Sequence, residues 1–304
     1  MKILCVCLSA TIQRTIKFDS FSAGKINRSQ IWREDASGKA LNAARVLNQL
    51  DNGCAVALCP VGNSNADQFM VLASRDNDLY IHPVYTDGST RECWTVLDLK
   101  NGTTTELIPD EPSDFNHIAG AEAELDLIES IREYMSVCDA ILLAGSRPVS
   151  WSKNIYERIC EVAHKAGKVI LADFKGEDLL HTIKKCVPHI IKINEDEYCQ
   201  TFENVLLSEE ELAKSIAQKS SELKNIIVVT RGAKDTLAAQ NGTSYRVPSE
   251  KITPLNTTGC GDTFAAAFLH DYLITSDVKS ALKSGAHCAA TNAQTLVPGS
   301  LYSD

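Results

Sequence analysis

An α/β fold, doubly wound around a mostly parallel sheet with helices on both faces, is predicted by two observations. Short apolar runs alternate with helical patterns for most of the chain, the signature of crossover units on a parallel sheet. The runs are also continuous, as at Ile141 to Ala144 and Ile226 to Val229, which marks strands buried on both faces. At least six such strands are expected, among them Lys2 to Leu8, Cys54 to Val61, Ala140 to Ala144, Val169 to Asp173, His189 to Ile193 and Asn225 to Thr230. Helices are expected at Lys39 to Leu50, Ala121 to Met135, Lys153 to Ala166, Ser208 to Glu222, Thr263 to Leu273 and Asp277 to Ala293.

Two stretches break this rhythm, Thr15 to Glu34 and Thr90 to Glu106, where polar and apolar residues alternate at period two. The second contains Lys100-Asn101-Gly102 between alternating runs, a hairpin signal. Together they predict a small antiparallel appendage, inserted over about residues 13–35 and 88–110 of one domain spanning 1–304. It carries Trp32 and Trp94, large apolar groups that the cleft or a partner subunit must cover.

At 304 residues with 44% hydrophobic and 23% charged side chains, the chain can bury a sizeable core, and bulk disorder is excluded. The formal charge of -9 has the wrong sign for binding a phosphate backbone, so nucleic acid is not an expected partner. A small basic pocket for an anionic metabolite remains compatible with it. Eleven cysteines, an odd number without zinc-ligand spacing, point to a reduced compartment and core packing. Cys5 and Cys7 fall on one face of the first strand. The N-terminus lacks a signal-peptide pattern and no apolar run is long enough to span a bilayer, so a cytoplasmic protein without membrane contact is expected.

The main chemical signal is Asn256-Thr-Thr-Gly-Cys-Gly-Asp-Thr-Phe264. Gly259 and Gly261 flank Cys260 at the start of a helix, whose free amides and dipole suit an anion. Asp262 beside a bound phosphate would be repelled unless a proton transfer needs it. It can serve as general base toward an attacking hydroxyl while the amides of Gly259, Cys260 and Gly261 stabilise a transferring phosphoryl group. It can equally serve as an ordinary helix cap. Neither a P-loop nor a dinucleotide fingerprint occurs. A second segment, Ser37-Gly38-Lys39-Ala40-Leu41-Asn42, offers a cation and a carboxamide at another helix start. It reads as a loop and cap or as a second ligand site.

In this order, the two segments resemble the signatures of the ribokinase-type (pfkB) carbohydrate kinases, TTGCGDTF the C-terminal one and ASGKALNAARVL the N-terminal one. The similarity spans nearly the whole chain. Gly24-Lys25-Ile26-Asn27-Arg28, Thr90-Arg91, Gly145-Ser146-Arg147-Pro148, Lys192-x-Asn194-x-x-Glu197 and Val297-Pro298-Gly299 are similar to the phosphosugar branch, the 1-phosphofructokinase and tagatose-6-phosphate kinase type.

That resemblance implies a ribokinase-like fold with a β lid, and transfer of the ATP γ-phosphoryl group to a sugar-phosphate hydroxyl. It implies Asp262 as base, with Gly259, Cys260 and Gly261 as the anion hole. Lys25, Lys39 and Arg91 would hold the sugar's phosphate, and Gly38 and Asn42 its hydroxyls. Lys192 and Asn194 would serve the nucleotide, with Asn194 and Glu197 positioning Mg2+ and its waters. Thr230, Gly232 and Asn292 fall where the family lines the nucleotide cleft, and the lid implies a homodimer. Two departures qualify the substrate. The family's sugar-gripping Asp is replaced by Gln13, which both donates and accepts. Its glycine-rich segment is stiffened by Ser37 and Ala40. A kinase of an unphosphorylated sugar or nucleoside, and a non-catalytic relative, are the alternatives.

Overall fold

The computed structural model describes residues 1–109, 120–203, 205 and 207–302. Residue 110 of the second expected insertion and residues 303–304 lie outside the described residues. The strands are β1 (Ile3–Val6), β2 (Thr11–Phe18), β3 (Ile31–Ser37), β4 (Ala55–Gly62), β5 (Ile81–Thr86), β6 (Arg91–Asp98), β7 (Thr103–Leu107), β8 (Ala140–Ala144), β9 (Val169–Asp173), β10 (Ile190–Asn194), β11 (Ile226–Thr230), β12 (Thr236–Gln240) and β13 (Thr243–Val247). The helices are α1 (Lys39–Leu50), α2 (Ala66–Ser74), α3 (Ala121–Met135), α4 (Ile155–Lys165), α5 (Gly176–Lys185), α6 (Glu195–Tyr198), α7 (Glu209–Leu223), α8 (Cys260–Thr275) and α9 (Val278–Asn292).

Nine strands form one sheet in the order β13-β12-β11-β10-β9-β8-β1-β4-β5. It is parallel from β5 to β11, with β12 and β13 antiparallel at one edge. Alternation along β1 sends Ile3, Cys5 and Cys7 into the core under α1, α8 and α9. Leu4, Val6 and Leu8 enter the opposite core, with α3, α4 and α7. The sheet is therefore covered on both faces, which is why its strands read as unbroken apolar runs. The six expected strands and six expected helices all form, with ends shifted by up to three residues.

Beyond the sequence reading lie β5, the β12–β13 hairpin and helices α2, α5 and α6. β5 is half-exposed and contains Pro83, as edge strands tolerate. The β12–β13 hairpin turns on Asn241 and Gly242, both with positive φ, the conformation a two-residue turn requires. All eleven cysteines are free, and all but Cys260 are buried. No helix among the described residues is long and apolar enough to cross a membrane.

The second sheet has four strands in the order β3-β2-β6-β7. β2 pairs with β3, and β6 with β7, antiparallel as expected, the second pair turning through Asn101 and Gly102. The seam between the two hairpins, β2 to β6, is parallel. The chain makes the crossover β4–α2–β5 between those strands, and a crossover of that length is what parallel pairing demands. One face aligns Ile16, Trp32, Trp94 and Leu107; the other aligns Thr11, Gln13 and Thr15 with Arg91, Cys93 and Thr95.

Candidate active site

The parallel strands present their carboxyl ends along one edge, where doubly wound sheets take ligands. Asp173 ends β9, and Lys192 stands on neighbouring β10. They form an ion pair at 3.1 Å with side chains 1% and 4% exposed. Lys39, the first residue of α1, reaches the other oxygen of Asp173 at 3.4 Å. Burial alone would raise the Asp173 pKa, but Lys192 and Lys39 outweigh it and hold the carboxyl below its ordinary range. In return Asp173, foremost among the nearby carboxylates, holds Lys39 more firmly protonated.

Asp262 sits in the first turn of α8, beside this pair. Gly259 caps that helix at φ 81, and a Cβ there would lie 2.6 Å from the amide nitrogen of Gly299. No side chain fits. A Cβ on Gly261 would come within 3.0 Å of the Lys192 ammonium, so the lysine roofs the start of the helix. The helix leaves its first amides without an internal partner, although that of Cys260 donates to the Thr257 carbonyl at 3.3 Å. The Cys260 thiol is pushed up to about 11, chiefly by burial, and stays neutral beside any anion held here.

Asp262 is 7% exposed, and burial raises its pKa to about 6, with Asp173 adding to the rise. Lys39, a hydrogen bond from Asn42 and Lys192 limit that rise. The Asn42 amide nitrogen donates to an Asp262 oxygen at 2.9 Å. Both N-terminal helix segments singled out in the sequence thus meet at one carboxylate. Gly38 makes the approach of α1 possible: at φ 138, its position leaves only 3.3 Å between a Cβ and Ala10 or Ser9.

The remaining expected residues divide. Gln13 is buried on β2, its amide nitrogen donating to Thr95 at 2.8 Å and to the Cys93 carbonyl at 3.4 Å. It lies two residues from Thr11, whose register partner Ser37 donates to Asn42. Arg91 opens β6 and lines a cavity of about 40 Å³ with Ser9, Thr90 and Trp151. Lys25 is exposed in the loop joining β2 to β3, and among the described residues no contact joins its ammonium to this cluster. Asn194 and Glu197 form a reciprocal capping box at the start of α6, and Glu197 also pairs with Lys175 at 3.5 Å. Thr230 ends β11, and Gly232 turns the chain after it at φ 59. Asn292 spends its amide on protein: it donates to Thr258 and Cys260 and accepts from Thr263 and Ser300. It anchors the loop before α8 to the C-terminal segment.

Three residues at the site escaped the sequence reading. Asp173 had a usable signal, the last position of an expected strand. Arg45 looked like one more residue of α1 but is 2% exposed beneath Asn42. Glu106 on β7 accepts from the Thr258 hydroxyl at 2.9 Å, joining the small sheet to the loop before α8.

Residues 2–300 match the pfkB family of carbohydrate kinases. The chain belongs to that family. Among solved structures, phosphofructokinase-2 from Escherichia coli in complex with substrates and products superposes with a TM-score of 0.86 at 17% identity, over 97% of this chain and 94% of that one. A possible 1-phosphofructokinase from Thermotoga maritima gives 0.86 at 19% identity, over 100% and 94%. The tetrameric inhibited form of the Escherichia coli enzyme gives 0.84 at 17%, over 96% and 94%. At these identities the likeness is one of fold, and it confirms the expected ribokinase-like architecture with its small second sheet.

The donors near this edge suit Mg2+ better than a metal caged by protein. Among the described residues no three His, Cys, Asp or Glu side chains gather as a ligand set. Glu197 lies close enough for its charge to act on Lys39. Mg2+ is bound through one or two carboxylates, with waters and substrate phosphates completing its shell, and Glu197 offers such a carboxylate.

Proposed function

We propose that this pfkB kinase transfers the γ-phosphoryl group of ATP to a hydroxyl of a phosphorylated sugar. The observation that carries the reading is Asp262: a buried carboxylate with a pKa near 6, at the open end of α8, between two lysines. At neutral pH it is ionised, yet basic enough to take a proton in the transition state. Its oxygen accepts the hydrogen of the attacking alcohol, while Asn42 keeps the carboxylate oriented through the 2.9 Å bond. The amides at the start of α8 and the Lys192 ammonium above Gly261 stabilise charge on the phosphoryl oxygens. Asp173 fixes Lys192 and Lys39, so neither cation must reorganise when the anion arrives.

Asn194 and Glu197 would hold Mg2+ through its waters; once bound, the ion neutralises charge on the nucleotide phosphates. Thr230 and Gly232 line the nucleotide side, and Asn292 supports it through the loop it anchors. Arg91 and Lys25 would grip the phosphate already on the sugar, the Arg91 fork being suited to an oxyanion. Gln13 and Gly38 would meet the sugar hydroxyls. The small sheet acts as the lid of one domain, and its contact from Glu106 to Thr258 links lid position to the phosphoryl site.

The test is ADP release with Mg2+ across matched free sugars, nucleosides and sugar phosphates. Activity confined to hexose phosphates is expected. Activity with free sugars or nucleosides alone would replace the acceptor, and silence throughout would leave a binding protein. The face that carries Ile16, Trp32, Trp94 and Leu107, together with the Arg14 ion pairs to Glu34 and Glu92, would meet a second copy of the chain, with Trp32 61% exposed. Sedimentation should give twice the 33.2 kDa chain mass; a single-chain mass removes the homodimer.

A further inference from the structure

Arg45 is a buried cation with four partners. It projects from α1 with 3% of its side chain exposed, and its Nε pairs with Asp76 just beyond α2. Its Nη2 donates to the Ala36 carbonyl at 3.0 Å, at the end of β3. Its Nη1 donates to the Pro298 carbonyl at 2.7 Å and to the Asn42 side-chain oxygen at 3.2 Å. Four chain segments are thus tied by one guanidinium, and the planar fork is what allows it.

Two of those bonds bear on Asp262. The Asn42 oxygen accepts from both Arg45 and Ser37, and an oxygen with two donors fixes which way the amide points. The amide nitrogen must then face Asp262. The Pro298 bond holds the segment in which Gly299 lies against Asn42 on one side and Gly259 on the other: a Cβ on Gly299 would be 2.6 Å from the Asn42 Cβ. The spacing between the starts of α1 and α8 is set there.

We propose that Arg45 is a positioning residue for phosphoryl transfer, holding the Asn42 amide and the Pro298 carbonyl so that Asn42 presents its nitrogen to Asp262. The proposal rests on the kinase reading above, and it adds a residue that touches neither substrate nor reacting atoms. The charged groups facing Asp262 directly are Lys39 from α1, Lys192 from β10 and Asp173 from β9. Arg45 reaches it only through Asn42.

The experiment compares the full-length chain with Arg45→Met, Arg45→Lys, Ser37→Ala and Asp262→Asn. Two readouts are used: turnover as a function of pH, and titration of the Asp262 carboxyl by 13C NMR without nucleotide or sugar. Arg45→Met should lower kcat by roughly 10- to 100-fold, with the ATP KM within about threefold. It should move the Asp262 midpoint upward by on the order of one unit, because the donor to the charged form is no longer held. Arg45→Lys should recover part of both, and Ser37→Ala should shift the midpoint less, in the same direction. If Arg45→Met does not fold, the Lys and Ala variants decide by the same readouts. An unmoved midpoint in the folded variants, or a loss confined to the ATP KM, overturns the proposal. Wild-type protein that phosphorylates nothing, with a midpoint that still moves in the variants, overturns the kinase reading and leaves the Arg45–Asn42–Asp262 coupling standing.

Discussion

The edge of the large sheet and the small sheet handle charge in opposite ways. At the large sheet, Asp173 and Lys192 are almost wholly removed from water and answer each other at 3.1 Å. In the small sheet, Arg14 lies 2.7 Å from Glu34 and 2.8 Å from Glu92, with each side chain 22% to 37% exposed, and it stacks over Trp94 at 4.9 Å. A buried pair is costly to break because the surviving charge is stranded. A half-exposed pair exchanges one partner for water at little cost. In the proposed reading, the chemistry lies where charges are buried and paired, and the lid lies where ion pairs exchange with water at little cost.

The largest effect should come at the stiff edge. Asp262→Asn is expected to cut turnover by roughly 10²- to 10⁴-fold, with the fold intact by circular dichroism. A change of only a few-fold would remove the base assignment. In the wild type, kcat/KM should fall below about pH 6 as Asp262 takes up its proton. Stability runs the other way. Because the folded-state pKa lies above the ordinary 3.8, this carboxyl favours the fold below about pH 4, and that contribution is lost as pH rises through about 6. Asp262→Asn should thus stabilise the protein at pH 7 by about 3 kcal/mol, with the gain vanishing near pH 4. A higher Tm at pH 7 only would sharpen the contrast between regions.

Next in size is Lys192→Met, which leaves Asp173 buried with only Lys39 opposite and should cost about 3–5 kcal/mol in urea unfolding. Arg14→Gln in the small sheet should cost under about 1 kcal/mol by the same measurement. Equal losses at the two positions would erase the distinction.

Much of the large sheet was legible because burial on both faces writes itself as continuous apolar runs. The small sheet was legible because alternation marks strands with two unlike faces. The parallel seam between β2 and β6 was not, since the period-two pattern is the same for either direction of pairing. The β12–β13 hairpin carried a readable Asn241-Gly242 turn, but its strands are short and flank a charged loop. At the site, Asp262 and Asn42 were named separately as residues at helix starts, and nothing local shows that one donates to the other.

The alphabet of this protein, taken alone, determined the kind of layers it builds and the residue types placed at its helix starts, because periodicity and capping are properties of neighbours along the chain. Only the folded molecule decided that Asp173, Lys192, Lys39, Asn42 and Asp262 form one cluster, that Arg45 stands behind it, and that Asn292 is turned inward. Those relations join residues far apart in sequence, and they are set by how β9, β10, α1 and α8 meet at the end of the sheet.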